Sequence, residues 1–169
     1  MTLELRALGI ADVEDHNAGE DEATVRWLTG GYGTVESTTA HFIQLARNAE
    51  AAQGARGFGL WLDDRLAGYV EGNPDVSDGL EAGDVNVAYA VHPWARGRGL
   101  AVEAANMMCD YIRDHRIGSR AALRIEPQNY ASLRVAEKGG FTRIRDFVST
   151  TDTHPDGAPA VLSLWLREV

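Results

Sequence analysis

Between residues 85 and 115 the hydrophobic period of the chain changes once, and the change falls on the hexapeptide Arg96-Gly97-Arg98-Gly99-Leu100-Ala101. Before it, Val85, Val87, Tyr89 and Val91 alternate with Asn86, Ala88 and Ala90, which predicts a strand that Pro93 ends. After it, Ala101, Ala105, Met108, Cys109 and Ile112 make the apolar stripe of a helix expected over residues 99–115. A strand, a glycine-rich turn and a helix start, in that order, suit an anion. The first-turn N–H groups of a helix lack intrahelical partners, its dipole adds partial positive charge, and glycines let a phosphate approach the main chain. Arg96 and Arg98 add charge-assisted donors. The common nucleotide loops do not fit: no Gly-Lys-Ser/Thr follows, and Val102 stands at the third-glycine position of a dinucleotide fingerprint.

Around this segment the pattern reads as one domain, since 169 residues, 44% of them apolar, supply one full core. Further strands are expected over 3–8, 58–62, 66–71, 121–125, 141–149 and 160–166, with a tight turn at Asp63-Asp64-Arg65. Helices are expected from Asp12, over 21–27 up to Gly30-Gly31, from a Ser37 cap through Phe42, Leu45, Ala46 and Ala49, and over 129–138 up to Gly139-Gly140. Residues 72–84, with three glycines, a proline and four acids, read as a loop that touches ligand.

The charge balance narrows the partners. Acidic residues exceed basic ones by 25 to 16, a net charge of −9, which argues against non-specific attraction to nucleic acid and suits a cationic acceptor. Lys138 is the one lysine and sits in no Schiff-base or Walker context. No run approaches the roughly 20 apolar residues of a membrane span, and residues 1–9 lack the features of a signal peptide, so a cytoplasmic protein without a membrane partner is expected. Cys109 is the single cysteine and His92 has no Cys or carboxylate at metal spacing, so neither a disulfide nor a metal site is expected.

The hexapeptide resembles the acetyl-coenzyme A signature of the GCN5-related N-acetyltransferase (GNAT) superfamily, an Arg or Gln followed by x-x-Gly-x-Gly/Ala, through Arg96, Gly99 and Ala101. Asn129, Ala131, Ser132 and Glu137-Lys138-Gly139-Gly140-Phe141 are similar to that family's final motif, at the expected separation. The order of elements agrees over nearly the whole chain, and residues 3–16 resemble the opening of the ribosomal-protein N-terminal acetyltransferase branch. The resemblance implies a single α/β (α+β) domain over residues 1–169: a mixed, mostly antiparallel sheet of about seven strands flanked by helices and splayed after the fourth strand. Pantetheine would lie in the splay, its amides bonded around Ala90 and Val91, with the Val91 N–H polarising the thioester carbonyl. Arg96, Gly97, Arg98, Gly99, Leu100 and Ala101 would hold the pyrophosphate and Asn129 the pantetheine arm. Arg134 would reach the nucleotide end or lie in solvent. Acetyl-coenzyme A is the implied co-substrate, without a metal. The implied acceptor is a primary amine, either a protein N-terminus or a small cationic amine such as a polyamine or aminoglycoside, and a homodimer is compatible with the resemblance.

Two positions depart from the family pattern. Where members commonly carry a glutamate base on the fourth strand, this chain has Asn86, and where they carry a tyrosine acid it has Ala136. Ser132 is the replacement acid or else a capping or coenzyme-contact hydroxyl, and Tyr89 is a second candidate whose place in the alternation favours packing. For the base, Glu71 or an acid from 75–84 acting through water is the candidate. Loss of both usual groups also motivates a rival reading, a non-catalytic acyl-coenzyme A sensor.

Overall fold

A computed structural model describes residues 2–169. Its strands are β1 (Leu3–Arg6), β2 (Arg56–Leu62), β3 (Arg65–Asn73), β4 (Asp84–Val91), β5 (Arg120–Ile125), β6 (Thr142–Thr153) and β7 (Pro159–Glu168). Its helices are α1 (Val13–Ala18), α2 (Glu22–Thr24), α3 (Val35–Ala51), α4 (Leu100–Asp114) and α5 (Tyr130–Lys138), and α2 runs on into a π-helical turn, Val25–Thr29. The strands form one seven-stranded sheet in the order β1-β2-β3-β4-β5-β7-β6. Every neighbouring pair is antiparallel except β4 and β5. The mixed, mostly antiparallel sheet flanked by helices is as the sequence implied.

The functional geometry comes from the β4–β5 pair. Their register covers only Asp84, Val85 and Asn86 against Arg120, Ala121 and Ala122, although β4 continues to Val91 and β5 to Ile125. Beyond Asn86 the two strands part, and the sheet splays after its fourth strand as expected. On its other side β4 stays paired with β3 from Asn86 to Val91. Because the His92 N–H bonds the Ala67 carbonyl, the antiparallel register points the main-chain groups of Ala88 and Ala90 at β3 and those of Tyr89 and Val91 into the gap.

Two cores fix this frame. One lies where Val85, Val87 and Ala121 meet the stripe Ala105, Met108, Cys109 and Ile112 of α4, all buried. A smaller one joins Val13 of α1 and Phe42 and Leu45 of α3 to Leu66 of β3. Cys109 is buried within the first, and burial raises its thiol pKa, so it serves as a packing residue.

Several local expectations shift. The cap of α3 is Thr34, with Ser37 as its reciprocal partner: each hydroxyl accepts from the other's N–H at 3.0 Å. Ala46 and Ala49 of α3 are exposed, leaving Phe42 and Leu45 to anchor it. The hairpin at Asp63 and Asp64 takes positive φ at both residues (48° and 65°), the twist that a two-residue connection favours. Residues 72, 73 and 84 of the expected loop belong to strands, and its centre is pinned to β6. Asp78 accepts from the Ser149 hydroxyl, the Thr150 N–H and hydroxyl, and Arg124, at 2.7–2.9 Å.

Candidate active site

The splay opens a cleft of about 830 Å³. β4 from Asn86 to Val91 forms one wall and Asn129 to Val135 the other, while Thr24, Trp27 and Leu28 stand over it. At its far end the chain turns through Gly97 and Gly99, at φ of 77° and 78°, into α4. A Cβ built on either glycine meets nothing within 4 Å. The glycines are therefore required by the backbone conformation, and the space before them is open to a ligand. Gly99 caps α4 without a side-chain hydrogen bond, and the helical ladder starts with the Val102 and Glu103 N–H groups on the Gly99 carbonyl. The N–H groups of Leu100 and Ala101 have no intrahelical acceptor, and both residues line the cleft. This open strand edge running onto a glycine-rich helix start fits an extended amide chain followed by a phosphate.

The residues assigned from sequence divide by what they touch. Tyr89 and Val91 offer main-chain groups to the gap, while those of Ala90 are directed at Tyr69 within the sheet and only its side chain faces the cleft. Arg96 is a brace: it holds Asp21 through two bonds of 2.6 and 2.9 Å and donates to the Val91 carbonyl at 2.9 Å. Those contacts hold the Asp21 carboxyl far below its usual range. Arg98 does not line the cleft and lies over the Trp94 ring, 5.7 Å from its centre. Asn129 caps α5 by accepting from the Ser132 N–H at 3.2 Å, which leaves its amide nitrogen to reach the cleft. Arg134 is exposed at the rim.

Ser132 is thus the recipient of a cap, and its hydroxyl is engaged elsewhere, 2.6 Å from the Tyr89 hydroxyl across the cleft. Burial pushes the Tyr89 phenol up to about 12, the Ser132 bond offsetting part of that rise. Asn86 accepts from Arg124, which also holds Asp78. Burial raises the Asp78 pKa, but the Thr150 N–H, the two hydroxyls and Arg124 outweigh it and leave that carboxyl at about 2. Asn73 and Val76 of the expected loop do line the cleft, but none of Asp75, Asp78, Glu81 and Asp84 does: Asp78 is held by β6 and Glu81 and Asp84 by Arg120. The carboxylates that do line it are Glu71, Glu126 and Asp152. Glu126 accepts both guanidinium arms of Arg26 at 3.0 Å, with His154 at 3.2 Å, and these contacts lower its pKa.

A second cavity of about 510 Å³ adjoins the first, and Thr24, Leu28, Glu71, Ala88 and Ala90 line both. Among the described residues its lining includes His16, His41, His92, Glu20 and Glu71 but no lysine or arginine. Glu71 accepts from the Tyr69 hydroxyl and from His41 Nε2, the latter at 3.0 Å. His16 and His92 are pushed down to about 4 by burial, with like charge from a neighbouring histidine adding to each. Sequence reasoning missed His41, which belongs to an α3 turn next to Phe42 and meets a glutamate thirty positions away. The signal that was present is the i, i+2 spacing of Tyr69 and Glu71, which places both on one face of β3. Among the described residues no group of three or more His, Cys, Asp or Glu is arranged to hold a metal ion, and no helix is long and apolar enough to cross a membrane.

Comparison with known proteins bears on the family and the fold. The family model described as an acetyltransferase (GNAT) domain matches residues 2–142. A curated relative, the uncharacterized N-acetyltransferase YjdG of Bacillus subtilis, is 26% identical over 145 residues, covering 83% of each chain. Among solved structures, RimL, a ribosomal L7/L12 alpha-N-protein acetyltransferase in complex with coenzyme A, superposes with a TM-score of 0.83 at 17% identity, covering 100% of this chain and 95% of its own. Mycobacterium smegmatis RimJ superposes at 0.82 with 20% identity, covering 99% of this chain and 82% of its own. At such identities the likeness is one of fold.

Proposed function

The chain belongs to the GNAT acetyltransferase family, and from that premise we propose that it moves the acetyl group of acetyl-coenzyme A onto the α-amine of a protein N-terminus, by direct attack in a ternary complex. Acyl transfer is the activity of the family; the acceptor and the residue roles are our reading. The observation that carries it is the unpaired β4 edge at Tyr89 and Val91 leading onto the open Gly97–Gly99 turn at the start of α4. Bound there, the coenzyme supplies a thioester whose carbonyl is open to attack and whose thiolate can leave.

The chain's own groups then have distinct tasks. The N–H groups from Leu100 and Ala101 receive the pyrophosphate, and the Gly97 and Gly99 backbone admits it. The Val91 N–H, fixed by pairing with β3 and by Arg96 on its carbonyl, is the donor for charge developing on the carbonyl oxygen. The Ser132–Tyr89 pair donates a proton to the departing sulfur. Glu71, shared by the two spaces, draws the acceptor ammonium towards the cleft.

An α-amine is favoured over a lysine side chain because Asn86, at the family's glutamate position, cannot take a proton and its amide oxygen is already held by Arg124. Free α-amines lose their proton near pKa 7.7–8.0, lysines near 10.4. The names of RimL and of its neighbours support the same acceptor class. The acidic second cavity favours a small cationic amine as the second reading.

The experiment has two stages. Acetyl-coenzyme A should raise the melting temperature of the protein, and Gly99→Glu should abolish the rise by putting a side chain and a negative charge in the turn. Thiol release should then be followed with N-terminal peptides, internal-lysine peptides, polyamines and aminoglycosides. Turnover with free α-amines is expected to lead. Fastest turnover of a polyamine or aminoglycoside would establish the second reading, and coenzyme binding with silence across the panel would make the protein a sensor.

A further inference from the structure

We propose that His41, oriented by Glu71, is the group that takes the proton from the acceptor ammonium. The inference rests on the acetyl-transfer reading above and completes its missing base. Two contacts hold the imidazole, and a third orders the groups it touches. The Tyr69 hydroxyl donates to Glu71 Oε2, His41 Nε2 lies 3.0 Å from the same Oε2, and it lies 3.0 Å from the Tyr69 oxygen. An ionised carboxylate only accepts, and the Tyr69 proton is already committed to it. In the neutral ring the proton therefore sits on Nε2, shared between two acceptors, and the lone pair is on Nδ1. A carboxylate that fixes the tautomer in this way also stabilises the imidazolium once it forms.

Placement agrees with the role. His41 and Glu71 both line the second cavity, and Glu71 lines the coenzyme cleft as well, so the couple stands where an amine entering from one space meets a thioester in the other. The titratable groups facing His41 are Glu71 and Tyr69 from β3 and His16 from α1, with Glu20, Tyr32 and His92 completing the cavity. Glu20 is occupied by the Gly33 N–H at 2.6 Å, and burial keeps His16 and His92 neutral down to about pH 4. His41 differs from them: the Glu71 bond raises its pKa above the ordinary value against the opposing effect of burial. Among the three imidazoles it is the one whose hold on a proton is strengthened rather than weakened, and an α-amine is more acidic than a lysine ammonium as a source of that proton.

The step balances as follows. The ammonium gives its first proton to His41, and the freed amine forms the carbon–nitrogen bond as the carbon–sulfur bond breaks. Ser132–Tyr89 protonates the thiolate, a second proton from the nitrogen restores that pair, and imidazolium returns one proton to solvent. The net products are amide, thiol and one proton.

The test combines a pH profile with a direct titration. Rates are measured against pH with two primary-amine peptides of different basicity, and the His41 ring signals are titrated by NMR in wild type and in Glu71→Gln. One rising limb should be common to both acceptors and coincide with the His41 titration, and Glu71→Gln should move both towards the ordinary histidine value of 6.5. His41→Gln should lose about a hundredfold in kcat/KM at neutral pH and lose the limb, while keeping the acetyl-coenzyme A thermal shift. Wild-type rate in His41→Gln, a limb that follows only the acceptor, or a His41 titration indifferent to Glu71→Gln would overturn the assignment and leave acetyl transfer standing. If His41→Gln fails to fold, the wild-type profile and Glu71→Gln still decide it. A wild type that does not bind acetyl-coenzyme A would remove both readings.

Discussion

In the proposed reaction the thiolate takes its proton from Ser132 and Tyr89, whose hydroxyls lie 2.6 Å apart, so that each can stabilise charge left on the other. Ser132→Ala and Tyr89→Phe should each lower kcat by about a hundredfold with little change in acetyl-coenzyme A affinity, and the double variant should lose scarcely more, since the groups act as a unit. Additive losses measured in steady-state kinetics would show two independent roles instead. Ser132 was legible because the final motif placed it at a helix start. Tyr89 entered only as a second candidate, with packing favoured, since it alternates with Val87 and Val91 on one face of β4. That face is core under α4 at Val85 and Val87, both buried, but borders the splay by Tyr89. The alternation gives the face of a residue and not what covers it further along the strand. His41 shows the same limit, because its partners arrive from another element.

At the scale of elements, periodicity located most strands and helices to within a few residues, and the misplacements have definite causes. Ser37 read as a cap because a hydroxyl precedes an apolar run, while Thr34 begins the same box three residues earlier. The acids of residues 72–84 read as ligand-facing because a loop gives no sign of a distant partner. Asp78 in fact meets Thr150, seventy-two positions on. Arg96, expected at the phosphate, does line the cleft, and what the sequence did not show is that it also holds Asp21, seventy-five positions away. That brace makes a prediction. Asp21 also caps α2, accepting from the Thr24 N–H at 3.0 Å, so Asp21→Ala removes a cap and leaves Arg96 without its carboxylate. A loss of about 1 kcal/mol is expected, a fall in melting temperature of about 3 °C. Calorimetry measures it, and coenzyme affinity should be held or improved as Arg96 is freed towards the turn. A weaker affinity would show that the brace, by fixing Val91, matters more than the charge it consumes.

For the whole molecule, two imidazoles, His92 buried and His16 half-buried, set the response to acid. His16 and His92 titrate near 4 in the folded chain, below the ordinary 6.5, so the unfolded chain binds more protons between those values. Stability is therefore fully present above about pH 6.5 and falls as pH drops towards about 4. His41 has the opposite sign: its raised pKa contributes stability at acid pH that is lost as pH rises through the folded value. Asp78 acts lower still, its contribution lost between the ordinary carboxylate value of 3.8 and about 2. The optimum should lie near neutrality, well above the isoelectric point of about 4.9. Melting temperatures followed from pH about 7 to pH about 4 should fall through the histidine window, and His92→Gln, which cannot titrate, should remove about half of that slope. A flat profile, or an unchanged slope in His92→Gln, would mean that the second cavity hydrates and charges its histidines without unfolding. An amine acceptor would then compete there with imidazolium, and acetylation should fail in acid before the fold does.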